Sequence, residues 1–294
     1  MKTIVLLLAT SAFAAPALAG SLDEVLPMEA AIVAPAASTF GGFVTGYYGG
    51  ASVADDGCCD YDDPTYSYYG IEASLGGGLG GGRLGWQLDA NYELGSDSAD
   101  YYRAYGGTAH INFDLSGYKV GAFAGAGYQY NENGNDGGPG HWYGIEAARG
   151  FGNVAVAAQL GFASSDNDHD SLDYNNEFFG QVRAHYFLND NIMITGNLGY
   201  GAGIIHSEPM DFAMYGVEGT MRLGQSNFYA NAGYEGLWAS EDNGTEDVTN
   251  ESRFYVGVSM LFGGGSLRDI HTNSTPMIDN SFNNLLAVYT STLD

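Results

Sequence analysis

The feature that most constrains this chain is a hydrophobic period of two, sustained over unusually long segments. Between 83 and 94, Leu84, Trp86, Leu88, Ala90, Tyr92 and Leu94 share one face, while Arg83, Gln87, Asp89, Asn91 and Glu93 share the other. Residues 252–262 repeat the pattern, with Phe254, Val256, Val258, Met260 and Phe262 opposite Arg253, Tyr255, Gly257 and Ser259. Successive side chains of a strand point to opposite faces, so this period predicts strands with one apolar and one mixed face. Helical periodicity is absent from Phe40 to Phe262.

Twelve such segments can be counted, near 40–54, 66–77, 82–94, 101–114, 117–130, 141–150, 153–164, 177–187, 191–203, 211–223, 227–239 and 252–262, with ten or fourteen strands as the neighbouring possibilities. They exceed the usual strand length of about 5–6 residues and suit tilted strands crossing a bilayer, which need about 9–11. The connections alternate in length. Polar stretches near 55–65, 95–100, 131–140, 164–176, 204–210 and 240–251 are separated by short turns at 78–81, 115–116, 151–152, 188–190 and 224–226. Alternation of this kind puts every long loop at one end of an up-and-down sheet and both termini at the other. The expected fold is all-β: an antiparallel up-and-down transmembrane β-barrel. A secreted soluble sandwich or propeller is the alternative, but it would have to expose the mixed face and carries no systematic asymmetry of loop length.

The chain begins with a targeting signal. Lys2 precedes an apolar run from Ile4 to Ala15 and a small-residue site at Ala17-Leu18-Ala19, so 1–19 reads as a signal peptide. Residues 20–39 read as a flexible periplasmic leader, 40–262 as the barrel and 263–294 as a C-terminal periplasmic tail. For that tail a tether, a short amphipathic helix and a plug entering the lumen are all open. Beyond the signal no apolar run approaches the roughly 20 residues of a spanning helix.

Charge excludes one class of partner. Lys and Arg number 9 against 35 Asp and Glu, a formal net charge of −26, and neutralising nucleic-acid phosphates requires clustered basic residues. The acid concentrates in the long connections, at Asp55, Asp56, Asp60, Asp62 and Asp63, at Asp166, Asp168, Asp170, Asp173 and Glu177, and at Glu241, Asp242, Glu246, Asp247 and Glu251. Such a rim repels anions, attracts cations, and suits divalent bridges to lipopolysaccharide; it also serves simply to solvate the exterior.

The signal peptide, the Gly- and Tyr-rich strands and the closing segment Arg253-Phe-Tyr-Val-Gly-Val-Ser-Met-Leu-Phe262 resemble Gram-negative outer-membrane β-barrel proteins of the porin-like type. In that family a final strand of alternating apolar residues ending in an aromatic is read by the barrel assembly machinery. Phe254, Val258, Met260 and Phe262 match it, although here 263–294 follow the aromatic. The resemblance implies residence in the bacterial outer membrane, contact with lipid bilayer and lipopolysaccharide, and passage of small solutes or ions; it implies no catalytic residue and no cofactor.

On the barrel reading, Leu84, Leu88, Ile111, Phe113, Val120, Ile145, Val154, Val156, Leu160, Ile194, Leu198, Val217, Val256 and Val258 face lipid. Tyr92, Tyr101, Tyr105, Tyr118, Tyr128, Tyr130, Phe178, Tyr186 and Tyr200 gather near strand ends, as interfacial girdles do. The inward, pore-lining candidates are the acids Glu72, Asp89, Glu93, Glu146, Glu218 and Glu235, the bases Arg83, Lys119, Arg183, Arg222 and Arg253, and Gln87, His110 and His185. Inward glycines at 85, 121, 125, 161, 199, 233 and 257 are expected to leave room near the axis. A twelve-stranded barrel lies between eight strands, which side chains just fill, and sixteen, which leave a channel. A narrow, mildly cation-preferring pore is therefore expected, with a lumen closed by paired charges, and loops that carry the function, as the alternative.

Other motifs carry little. Asp166-Asn-Asp168-His-Asp170 lacks the Gly and distal Glu of an EF-hand. The formal G-x-G-x-x-G at 76–81 precedes no helix. Adjacent Cys58 and Cys59 suit loop rigidification through a strained disulfide, or remain thiols. No outward Ser–His pair is evident in the sequence, so an enzyme is not expected.

Overall fold

The computed structural model describes residues 40–55, 65–79, 83–96, 101–131, 137–165, 174–205, 208–242, 246–263 and 265–279. Twelve antiparallel strands follow in chain order: β1 (Gly41–Asp55), β2 (Thr65–Leu79), β3 (Leu84–Ser96), β4 (Tyr101–Leu115), β5 (Tyr118–Asn131), β6 (Gly137–Phe151), β7 (Val154–Ser165), β8 (Tyr174–Asn189), β9 (Ile192–Ile205), β10 (Glu208–Arg222), β11 (Phe228–Asp242) and β12 (Glu246–Phe262). Each pairs with its sequence neighbours, and β1 pairs with β12, so the sheet closes into a barrel. Closure removes the unpaired backbone edge that lipid could not satisfy.

The tight turns lie at one end. At the β4–β5 connection Ser116 (φ 59°) and Gly117 (φ 87°) both adopt the left-handed region, the conformation of a two-residue hairpin turn whose twist matches the strands. Asp114 Oδ1 accepts a hydrogen bond from the Gly117 N–H at 2.9 Å. At the opposite end the strands run further than the sequence suggests. β9 and β10 are separated by two residues, and β6, β10 and β12 begin inside stretches expected to be loop. Polar residues there continue the ladder where the strands project beyond the apolar band, because backbone pairing does not depend on a lipid-compatible side chain. The acidic clusters at 56–63 and 166–173 and the two cysteines lie outside the described residues.

The outer surface is apolar. Ile145 is 63% exposed, Leu198 65%, Phe254 64% and Val256 60%, and the lipid-facing residues expected from the alternation take outward positions. Outward aromatics meet across strands, with Tyr105 stacked on Tyr128 at 5.8 Å and Tyr143, Phe162 and Phe178 in series at 6.2 and 5.7 Å. A water-soluble barrel would not leave a continuous belt of this kind uncovered; a bilayer covers it.

After β12 the described part of the tail follows one of the three courses left open by the sequence and turns into the lumen. Gly263 (φ 92°) redirects it, Ser266 caps a single turn α1 (Leu267–Asp269), and a π-helical turn follows at Ile270–Ser274. Leu267, Ile270, Met277 and Ile278 are buried against inward side chains of the wall. Residues 265–279 therefore occupy the lumen at its short-turn end.

Candidate functional site: the lumen

Alternation delivers the inward set largely as read. Gln87, Asp89, Glu93, His110, Glu146, His185 and Arg253 are buried inside the wall, and Glu72, Arg183, Glu218 and Glu235 line an internal cavity of about 90 Å³. Arg83 and Arg222 do not reach the interior. Arg83 is exposed in the β2–β3 turn. Arg222 donates to the carbonyls of Ser226 and Gln225 and to Asn191 Oδ1, which ties it to the turns at the rim. A strand's terminal residue has a turn beside it that competes for the side chain, and parity alone does not register that. Lys119 also sits low, donating to the Asn273 carbonyl at 3.0 Å.

The charges pair across strands. Around β3, β12, β1 and β4, Arg253 Nη2 lies 2.7 Å from Glu93 Oε1, which also accepts from Tyr102 at 2.7 Å, while Glu93 Oε2 accepts from Tyr47 at 2.8 Å. The guanidinium rests 3.9 Å above the Tyr68 ring. Glu251, expected in a loop, instead points inward beside Arg253 and accepts from Tyr66. A buried charge persists only when paired and hydrogen-bonded, and this cluster supplies both.

A second network runs round the wall. His110 Nδ1 is 2.8 Å from Glu146 Oε2, and its Nε2 lies 2.8 Å from Asp89 Oδ2, close but without hydrogen-bond alignment. Gln87 donates to both Asp89 oxygens at 3.0 Å, Gln159 donates to Glu146 at 3.0 Å, and Gln181 donates to Gln159 at 2.6 Å. Between the networks the 90 Å³ cavity is lined by Glu72, Glu218, Glu235, Arg183 and Asp279 among others. A smaller one of about 40 Å³ shares Glu72, Glu235 and Tyr255 with it. At roughly 10–15 Å³ of such space per water, the two hold about ten waters together.

The sequence reading missed what fills the rest. Inward glycines do not open the axis; large side chains lie across them. A Cβ on Gly125 would collide with Trp142, on Gly201 with Phe212, on Gly161 with Phe179 and on Gly233 with Tyr255. Phe123, Trp142, Phe179, Met210, Phe212, Met214 and Leu237 form a buried apolar cluster toward the end away from the tight turns. The signal was present, because these residues have inward parity, but counting only polar residues as lumenal passed over them. Among the described residues, this cluster and the 265–279 segment occupy opposite ends of the lumen.

One outward contact was also missed. Ser164 Oγ lies 2.8 Å from His141 Nε2, both exposed and paired in the β6–β7 register. Among the described residues no side chain hydrogen-bonds the other ring nitrogen, so the pair lacks the orienting partner of a nucleophile–base relay. Nor does any group of His, Cys, Asp and Glu among them suit a metal ion.

The architecture has solved counterparts. An outer-membrane channel of Pseudomonas putida F1 is similar with a TM-score of 0.51 at 11% identity, covering 76% of this chain and 96% of that one. The fold is that of an outer-membrane β-barrel. The KdgM porin solved with disordered oligogalacturonate (TM-score 0.44, 11% identity, 74% of this chain and 99% of that one) and the translocator domain of the autotransporter NalP from Neisseria meningitidis (0.42, 12%, 86% and 98%) are more distantly similar. No family model and no curated protein matches the sequence. The tail lies at the mouth that carries the tight turns, the end that generally faces the periplasm in outer-membrane barrels.

Proposed function

We propose that this protein is an outer-membrane channel for small hydrophilic solutes or ions, mildly cation-preferring and at rest in a closed state. The observation that carries the reading is the belt of ionisable groups at mid-lumen. Glu72, Glu218 and Glu235 share a polar cavity with Arg183 and Asp279, and ionisable groups at membrane depth are costly unless they serve a hydrated path. Carboxylates outnumber the cations there, which supports selection for positive charge. The outward stripe of Phe254, Val258, Met260 and Phe262 supports recognition by the assembly machinery, and the acidic connections support cation-bridged contact with lipopolysaccharide.

A second reading has its own observation. The apolar cluster around Phe123, Trp142 and Phe179 and the Arg253–Glu93–tyrosine cluster fill the outer half of the lumen, as suits a closed barrel whose external loops carry the function. Planar-bilayer recording separates the two. Open steps with cation-selective reversal are expected, and silence from barrels that keep heat-modifiable mobility would leave the second reading.

A further inference from the structure

The segment after β12 is seated in the lumen by four independent kinds of contact. Its apolar side chains are covered: Leu267 and Ile270 pack with Phe43, Phe187, Met193 and Leu261, and Met277 and Ile278 with Ala148 and Ala157. Its backbone beyond the π-helical turn is read by wall amides. Gln87 both accepts from the Met277 N–H at 3.1 Å and donates to the Met277 carbonyl at 3.2 Å, and Gln159 donates to the Ile278 carbonyl at 3.0 Å. Its carboxylate is met, with Asp279 Oδ2 2.7 Å from Arg183 Nη1. Its bulk is accommodated by glycines. A Cβ on Gly41 would stand 2.7 Å from Ser274 Oγ and 2.8 Å from the Ile270 side chain, and one on Gly76 would strike the Ser274 carbonyl.

The wall does not need this segment in order to close, because all twelve strands find both neighbours without it. The joint is Gly263-Gly264-Gly265, which permits the segment to leave as a unit. Gln87 and Gln159 are themselves 0% and 1% exposed, and each divides its bonds between a wall carboxylate and the backbone of the segment. The geometry points to a peptide-binding site built into the periplasmic half of the lumen, for a short segment bearing apolar side chains and a carboxylate, with residues 265–279 as its resident, dissociable plug.

Two experiments test this without reading conductance, so their failure is distinct from failure of the channel reading. In the first, the barrel ending at Phe262 is folded in detergent, checked by heat-modifiable mobility, and titrated with a labelled synthetic peptide of residues 265–279. Saturable binding is expected, about tenfold weaker when Gln159 is replaced by Ala and absent for a scrambled peptide. In the second, Gly41→Val is introduced into the full chain, where the added side chain meets plug atoms first. Trypsin cleavage after Arg268, slow in the parent barrel, is expected to accelerate at least tenfold while the barrel bands persist. A truncated chain that cannot form a barrel, a folded one that ignores the peptide, or a Gly41→Val chain cut no faster than the parent would each overturn the proposal and make the segment an integral part of the core.

Discussion

Arg183 on β8 and Asp279 beyond β12 lie 2.7 Å apart inside the barrel, with their side chains 13% and 20% exposed. This ion pair joins the wall to a segment that strand periodicity says nothing about. It also neutralises one carboxylate in a chamber that already holds Glu72, Glu218 and Glu235.

Breaking that pair from one side is expected to be costly. Arg183→Gln leaves Asp279 uncompensated among acids and should weaken docking of the 265–279 segment by about 3 kcal/mol, the lower end for partly hydrated pairs. The rate of trypsin cleavage after Arg268 in the folded barrel measures it. The double variant Arg183→Gln, Asp279→Asn should recover more than half of the loss; no recovery would mean that the two residues act separately.

Arg253 is 2% exposed and held by Glu93 and the Tyr68 face. Arg253→Ala strands Glu93 and is expected to cost about 3–5 kcal/mol. By contrast, Arg222→Gln removes only contacts to exposed turns and should stay within about 0.5 kcal/mol, with unchanged conductance.

The plug should respond to acid. Burial holds the His271 imidazole down at about 4 from the ordinary 6.5; Asp279 raises it, and Arg183 lowers it. His185 is its ring neighbour at 4.8 Å and Phe43 lies at 5.5 Å. The seated imidazole is neutral while a released one protonates below 6.5, so release takes up a proton. Docking is therefore fully stable above pH 6.5 and weakens progressively from there toward pH 4. Hydrogen exchange of the 265–279 amides, corrected for the intrinsic rate, should show the loss, and His271→Phe should flatten it.

The outer belt makes a sharp distinction between lipid and water. Ile145→Arg, at a residue 63% exposed and opposite Leu160 on β7, should cost about 2–4 kcal/mol in a bilayer near the midplane. Were that face wet, folding free energy would barely change.

Removal of 263–294 should raise the frequency of open steps in planar bilayers. In the truncated barrel, Glu218→Gln with Glu235→Gln should move the reversal potential toward zero. An unmoved potential would show that these carboxylates do not line the conducting path.

The sequence by itself determined the wall. Alternation depends only on whether each residue meets lipid or lumen, and that is written locally, two residues at a time. It placed Ile145 and Leu198 outside and Glu72, Asp89 and Arg253 inside, and it counted twelve strands. What fills the wall was decided by tertiary structure alone. Trp142 folds over Gly125 from the neighbouring strand, Glu251 turns inward because Arg253 and Tyr66 receive it, and Met277 finds Gln87 across the barrel. Trp142 meets Gly125 only once β5 and β6 pair, and the Glu251–Tyr66 and Met277–Gln87 contacts join residues that only closure of the sheet brings together. The lumen's occupancy is set by volume and charge summed round the whole circumference, and no local pattern carries that sum.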